Sequence, residues 1–315
     1  MWKKTLCVLL LVTCYLSAIH SQITTMAIAA PKTTQAQVYD GSKNFLGNDV
    51  YMYIGEELYL NGKSKSLQKY GYRNFSKSIP YSYEPAIPYD DFYGKYFIVE
   101  DVSRHPKANS GDYLDERLYG KKYYLKLREK DNNEIWYFEY DSEYEFEFPF
   151  IVVKYFNYLK ENYIGTQIVL RGKNWISSKD VMTDIYTGLP VRDFSAGAIW
   201  NCIDVTIEEN YYSLSLVLQN SYGEQIPLGI NYLEKNTHAF TKEQSDVYLE
   251  KFGEDKWNTI LAEKVSVGMT KEMCRLSWGE PQKVNKTTTN NGIREQWVYY
   301  ANYLYFEDGI LTSIQ

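Results

Sequence analysis

Between Glu139 and Phe148 five carboxylates, Glu139, Asp141, Glu143, Glu145 and Glu147, alternate with Tyr140, Ser142, Tyr144, Phe146 and Phe148. On a strand this alternation lines the acids along one face about 6.6–6.8 Å apart. That is too wide for a single-ion site unless a second strand adds ligands, and the loop pattern of an EF-hand is absent. A solvated edge face that resists edge-to-edge pairing is the ordinary use of such a run, and calcium or a basic partner the sharper one. Histidine chemistry has little to work with. Past the amino-terminal leader only His105 and His238 remain, each without a partner at metal spacing. The chain has no His-Glu-x-x-His, Gly-x-Ser-x-Gly, Walker or dinucleotide fingerprint. Asp90-Asp91 and Asp112 with Asp115 are the kind of carboxylate pair a glycosidase uses, but acidic surface loops use the same residues, and the separation across the fold is not a sequence property. No catalytic, cofactor-binding or metal residue is assigned, and the expectation is a non-enzymatic protein.

Aromatic chemistry is far better supplied. The 315 residues include 32 tyrosines, and 17% are aromatic. Tyr suits half-buried strands and also binding surfaces, because it offers rigid contact area with a polar tip. The segment Lys63–Tyr93 stands out, with Lys63, Lys65, Lys69, Arg73 and Lys77 interleaved with Tyr70, Tyr72, Tyr81, Tyr83 and Tyr89 and three prolines. Long irregular connections are uncommon in compact domains and often functional, although a cover packed over one end of a β domain is the plainer explanation. Tyr70, Tyr72, Tyr81 and Tyr83 are the candidate contact residues. Basic residues among aromatics also suit single-stranded nucleic acid, which export and an acidic total argue against.

The elements that position these groups are clearest at the carboxyl end. Thr270 is placed to cap a helix of about two turns, Gly279 falls where a left-handed C′ residue is needed, and Pro281 forbids continuation. Met273, Cys274, Leu276 and Trp278 then share one broad face. Three strands follow, Gln296–Tyr300, Tyr303–Glu307 and Ile310–Ile314, with Asp308-Gly309 as a two-residue hairpin turn. An earlier helix is expected over Lys242–Glu263, capped by Thr241 and carrying Val247, Leu249, Phe252, Trp257, Ile260 and Leu261 as apolar positions. Gly253 is the point where it can break in two.

Gly268, Met269, Thr270, Gly279, Pro281, Trp297, Tyr299, Phe306 and Gly309 follow the motif order of the SmpA/OmlA (BamE-like) family, which this segment resembles over about a sixth of the chain. The resemblance implies two helices against a small antiparallel sheet. That fold is similar to the β-lactamase inhibitor proteins, so it also implies a non-catalytic protein-binding module. Trp297, Tyr299, Tyr303 and Tyr305 are its candidate contact residues. The segment departs from the family in the short Ala301-Asn302 connection and in Cys274, where an ordinary apolar residue is expected. No interaction residue of the family carries over, and a shared fold does not transfer a function.

At the other end Lys3 and Lys4 precede the apolar run Leu6–Leu11 and the more polar Ser17–Gln22, the layout of a secretory signal peptide whose core is too short to span a bilayer. Cleavage after Ser21 is expected, with Ala27-Ile28-Ala29 as a second site. Lipidation at Cys14 is the competing reading of Leu11-Val12-Thr13-Cys14, although Thr before the Cys is a poor lipobox residue. Removing residues 1–21 takes away two lysines and no acid, so the net charge moves from −6 to −8. Nucleic acid and anionic membrane are thereby disfavoured as principal partners. Cys202 and Cys274 remain, as a disulfide that export permits or as two buried free thiols. No later apolar run is long enough for a membrane helix.

An internal echo organises what lies between. Tyr53-Ile54-Gly55, Gly62-Lys63 recur as Tyr163-Ile164-Gly165, Gly172-Lys173, a step of 110 residues. Asp101-Val102 and Tyr123–Leu127 recur as Asp204-Val205 and Tyr212–Leu216. Two copies suggest a duplicated antiparallel barrel or sandwich domain and not a solenoid. The expected layout is a signal peptide (1–21), a flexible lead (22–39), a first β domain (40–150), a second (151–237) and the BamE-like α+β module (238–315). Residues 150–162 carry helical spacing but equally fit a strand and turn. The expected function is protein–protein association in a Gram-negative-type envelope, in the periplasm, at the outer membrane or outside the cell. A secreted glycan-binding or carbohydrate-active protein, using the tyrosine-rich loop and scattered carboxylates, is the alternative.

Overall fold

A computed structural model describes residues 38–79, 85–172, 181–208, 212–235, 238–289 and 292–315. Residues 1–37, Tyr81 and Tyr83 lie outside the described residues. Residues 38–315 form one compact, mainly β unit built on three antiparallel sheets.

The first sheet holds β1 (Glu57–Leu60), β2 (Phe75–Ser76), β3 (Tyr96–Arg104), β4 (Lys122–Glu129), β5 (Ile135–Asp141) and β6 (Phe150–Val152) in the order β2-β5-β4-β3-β1-β6. The second holds β7 (Gln167–Leu170), β8 (Ile199–Glu208), β9 (Ser213–Gln219), β10 (Gln225–Gly229) and β11 (Ala239–Thr241) in the order β10-β9-β8-β7-β11. Five strands of the first sheet and the five of the second therefore follow one path. The likeness extends to detail. Register slips in β3 between Val99 and Asp101 and in β8 between Cys202 and Asp204, so each echoed Asp-Val pair sits just past a bulge. Gly55 and Gly165 have φ of 87° and 85°, and their N–H groups donate to Val99 O and Cys202 O at 2.8 Å each. Among the described residues neither sheet closes on itself, so the barrel expectation is replaced by open sheets.

Eight α-helices occur among the described residues: α1 (Lys65–Gln68), α2 (Tyr89–Phe92), α3 (Tyr113–Tyr119), α4 (Val153–Tyr163), α5 (Ile230–Glu234), α6 (Lys242–Phe252), α7 (Glu254–Leu261) and α8 (Lys271–Trp278). Residues 150–162 resolve as both candidates in succession, strand β6 running straight into α4. Gly253, at φ 77°, separates α6 from α7. Trp257, Ile260 and Leu261 are buried as expected, whereas Val247 and Leu249 are exposed, because only one face of the short α6 meets the core.

The third sheet is a meander of β12 (Lys283–Thr289), β13 (Gly292–Val298), β14 (Tyr303–Glu307) and β15 (Ile310–Ile314). The edge strand β12 carries Lys, Asn and Thr in place of apolar alternation, so it has no strand signature in sequence. Asp308 and Gly309 take φ of 48° and 88°, as their hairpin turn requires. Thr270 Oγ1 accepts from Met273 N (3.3 Å), and the Met273 sulfur accepts in return from Thr270 N (3.4 Å).

Two cores meet at the second sheet. Ile168, Leu170 and Ala239 join a cluster that runs unbroken into the first sheet through Leu58, Phe97, Leu125 and Phe138. Val169 and Phe240 face the other way, onto Trp257, Ile260, Cys274, Trp297 and Phe306. A strand buried on both faces reads as an unbroken apolar run, which is what Ile168-Val169-Leu170 is. Cys202 belongs to the first core and Cys274 to the second, so the two are free thiols and not a disulfide. Burial pushes them up to about 11 and about 12 respectively.

The carboxylate run does not form one strand. β5 ends at Asp141, whose carboxylate accepts from Glu143 N in a turn, and Glu145–Glu147 form a single 3-10 turn. Glu139 is taken up by Lys122 at 2.6 Å. Beyond the turn Phe148 packs inward, stacked on Tyr53 at 5.3 Å.

Two outcomes test this architecture. Thr270→Ala should destabilise the protein by about 1 kcal/mol in chemical denaturation, the usual cost of a lost N-cap. In a chain beginning at Gln22, Cys202 and Cys274 should not react with a thiol reagent near neutral pH until denaturant is added, because buried thiols held this high carry almost no thiolate.

Candidate functional site

Lys63–Tyr93 is a folded cover, not an irregular loop. Its described part holds α1, β2 and α2, with a bridge from Tyr72 to Ile87. Its own Phe75 and Phe92 are buried, packed edge-to-face at 4.9 Å. Tyr72 is buried as well, its hydroxyl donating to Asn61 O at 2.6 Å. Tyr70 stays on the surface.

Where the cover meets the second sheet, one side chain crosses over. Tyr212, at the start of the β9 arm, has φ 53°, a conformation non-glycine residues rarely adopt and one that often marks a functional position. Its ring lies directly on the backbone of Gly62, where an added Cβ would come within 2.0 Å of it. The Asn61 amide donates to Tyr212 O at 2.7 Å, and the Tyr89 hydroxyl donates to the Tyr212 hydroxyl at 3.3 Å. Tyr72, Tyr89 and Tyr93 stack in series at 5.9 and 5.1 Å, and Tyr93 meets the Tyr212 ring edge-on at 5.7 Å. Burial raises the Tyr72 and Tyr89 hydroxyls above the ordinary phenol range, so they remain donors at neutral pH.

An open cleft of about 840 Å³ lies against this seam. Lys63, Arg73 and Lys122 line it together with Glu145, Glu147 and Glu234, and Leu67, Tyr70 and Phe146 stand exposed around it, Phe146 at 82%. Lys63 donates to Gly71 O at 2.6 Å and lies 4.8 Å over the Tyr72 ring. Desolvation first, and Arg73 second, lower its ammonium below the usual lysine range, an arrangement that an incoming anion would relieve. The Tyr155 hydroxyl donates to Glu234 at 3.0 Å on the opposite wall. A second pocket of about 520 Å³ shares Tyr212 and Ile151 with the first.

The terminal module places its candidates differently. Trp297 is fully buried at the centre of its own core, so it offers no contact surface. The Tyr299 hydroxyl donates to Gly279 O at 3.0 Å, and the ring packs on Trp278. Tyr303 and Tyr305 lie on the outer face with Arg294, Gln296 and Glu307, where Gln296 bonds Tyr305 and Arg294 pairs Glu307. That face is polar and bonded within itself. Among the module's aromatics the most solvent-facing is Tyr300, 95% exposed beside Trp278 and Tyr299.

Of the sequence candidates, Tyr70 and Tyr72 line the cleft, while Phe146, Tyr212 and Asn61 were not among them. Phe146 lay in the acid–aromatic alternation, but that pattern by itself does not mark it as a contact residue. Among the described residues no three His, Cys, Asp or Glu side chains converge as metal ligands. No family model, no curated protein and no solved structure matches the chain.

Gly62→Ala should lower stability by about 1–3 kcal/mol, the usual cost of overpacking, as the added methyl drives Tyr212 from its seat. Because the two residues touch, the cost of Gly62→Ala should shrink in a Tyr212→Ala background. Additive costs in denaturant titrations would show that the seam does not depend on this contact.

Proposed function

We propose that the chain is an exported, non-catalytic protein of a Gram-negative-type envelope that works by binding another protein, with the cleft beside Tyr212 as the groove for an extended segment of that partner. The observation that carries this is the cleft's composition. Exposed Leu67, Tyr70, Arg73 and Phe146 surround a cleft that includes the partly desolvated Lys63. Aromatic residues and Arg are the types enriched at protein interfaces, and such anchors carry most of the energy. A partner segment with an acidic group between apolar residues suits both features.

The first two sheets are proposed to be copies of one module. Support comes from the sequence echo, the common strand order and the bulge placed alike in β3 and β8. The terminal module is proposed to be BamE-like and to add a second contact around Tyr300. Its support is the motif order and the capped helix on a four-stranded sheet. Export rests on the leader sequence, and no described helix is long and apolar enough to cross a membrane.

Crosslinking and co-purification from native membranes in mild detergent test the proposal. A partner should be recovered with the wild-type chain and lost, by roughly tenfold or about 1.4 kcal/mol in affinity, with the double variant Phe146→Ala, Arg73→Glu. Both positions lie at the cleft surface, so the thermal midpoint should stay within a few degrees of wild type. Recovery that is indifferent to this double variant would remove the cleft from the interface.

A further inference from the structure

The pocket on the far side of Tyr212 has a different chemistry from the cleft. Tyr59 on β1 and Tyr96 on β3 are directly opposite in register, with ring centroids 5.1 Å apart. Tyr93 and Tyr212 add a second, perpendicular pair. The opposite wall comes from α4 and β8. Val153, Phe156 and Lys160 recur at helical spacing, and Lys160 Nζ lies 3.2 Å from Asp204 Oδ1, with Thr206 two residues further along the strand. Tyr93 and Tyr96 are 41% and 42% exposed, so their rings are open to a ligand and not sealed in a core.

Each charged or wholly apolar ligand class meets an objection here. A cation would meet the charge of Lys160 inside the pocket, already 5.1 Å over the Phe156 ring. An anion would meet Asp204 and a row of phenol oxygens. A purely apolar ligand would offer the half-exposed Lys160–Asp204 pair nothing in place of the water it displaces. What remains is a neutral molecule with flat C–H faces and a rim of hydroxyls, which is the description of a pyranose ring. Its C–H faces lie on aromatic rings, while an ion pair and a threonine supply donors and acceptors for its hydroxyls. The volume of about 520 Å³ falls within the range of small-ligand sites.

We propose that the pocket walled by Tyr59, Tyr93, Tyr96, Tyr212, Lys160 and Asp204 is a saccharide-binding site that takes a neutral pyranose, stacked on Tyr93 and Tyr96 and hydrogen-bonded to the Lys160–Asp204 pair. It is separate from the protein-binding groove, with which it shares the Tyr212 ring and Ile151. Burial raises the Tyr59 hydroxyl above the ordinary phenol range, so it too stays a donor at neutral pH.

Saturation-transfer NMR and calorimetry on the chain beginning at Gln22 test this with maltotriose, cellotriose, chitotriose and laminaritriose as neutral probes, and choline as the cationic one. At least one trisaccharide should bind, and Tyr93→Ala, Tyr96→Ala and Asp204→Asn should each weaken it tenfold or more. Tyr96→Phe, which keeps the stacking face, should bind like wild type and controls for damage to the β1–β3 pairing. Failure of all four sugars at millimolar concentration, preference for choline, or sugar binding that survives Tyr93→Ala and Tyr96→Ala would each overturn the proposal. Partner capture by the Tyr96→Ala chain should be unchanged, so failure here is separable from failure at the groove.

Discussion

Tyr212 against Gly62 is the contact on which both cavities depend. Only glycine leaves room for a phenol ring on the backbone at that point. The ring's other face and edges complete the series of Tyr72, Tyr89 and Tyr93, and its backbone carbonyl is held by Asn61. A side chain at the start of β9 therefore forms part of the wall of two cavities that residues of the first and second sheets line together. Backbone at φ 53° is maintained in Tyr212 because the surrounding contacts over-determine it.

The same strand end is used again one sheet later. Gly172 follows β7 as Gly62 follows β1, and Gly172 N donates to Leu261 O of α7 at 2.8 Å, while a Cβ there would press on Glu263 Oε2 at 3.3 Å. Where Asn61 grips Tyr212, Arg171 reaches the third unit and donates to Ser277 O at 2.6 Å. The Gly62 corner thus receives a residue of the second sheet's region and the Gly172 corner the helix that packs under the third, which joins three sheets into one compact body. Burying Arg171 at this joint is costly, and Glu263 offsets part of the cost by favouring its charged form.

What was legible in sequence was local. Thr270, Gly279 and the Asp308-Gly309 turn act within a few residues of themselves, and each does what its chemistry dictates in the folded chain. Gly253 separates two helices for the same reason. The echo around Gly55 and Gly165 was visible because the same backbone hydrogen bond needs the same positive φ twice. Errors arose where a pattern had two physical meanings. Alternating acids and aromatics suggested a strand through Phe148, but Asp141 turns the chain with its own carboxylate. Val247 and Leu249 looked like a helix's buried stripe, yet α6 leaves them in solvent. β12 carried no pattern because an edge strand of Lys, Asn and Thr needs none.

The candidate sites were largely illegible, for a reason of distance. Asn61 and Tyr212 are 151 residues apart, and Tyr59 and Tyr96 meet only through strand register. With 32 tyrosines in the chain, residue type alone cannot separate the buried Tyr72 from the open Tyr93. By itself the sequence determined the turns, caps and apolar runs, because those depend on neighbours along the chain. Which tyrosines face one another across a joint was decided by tertiary packing, since a cavity wall is assembled from side chains whose only relation is position in space.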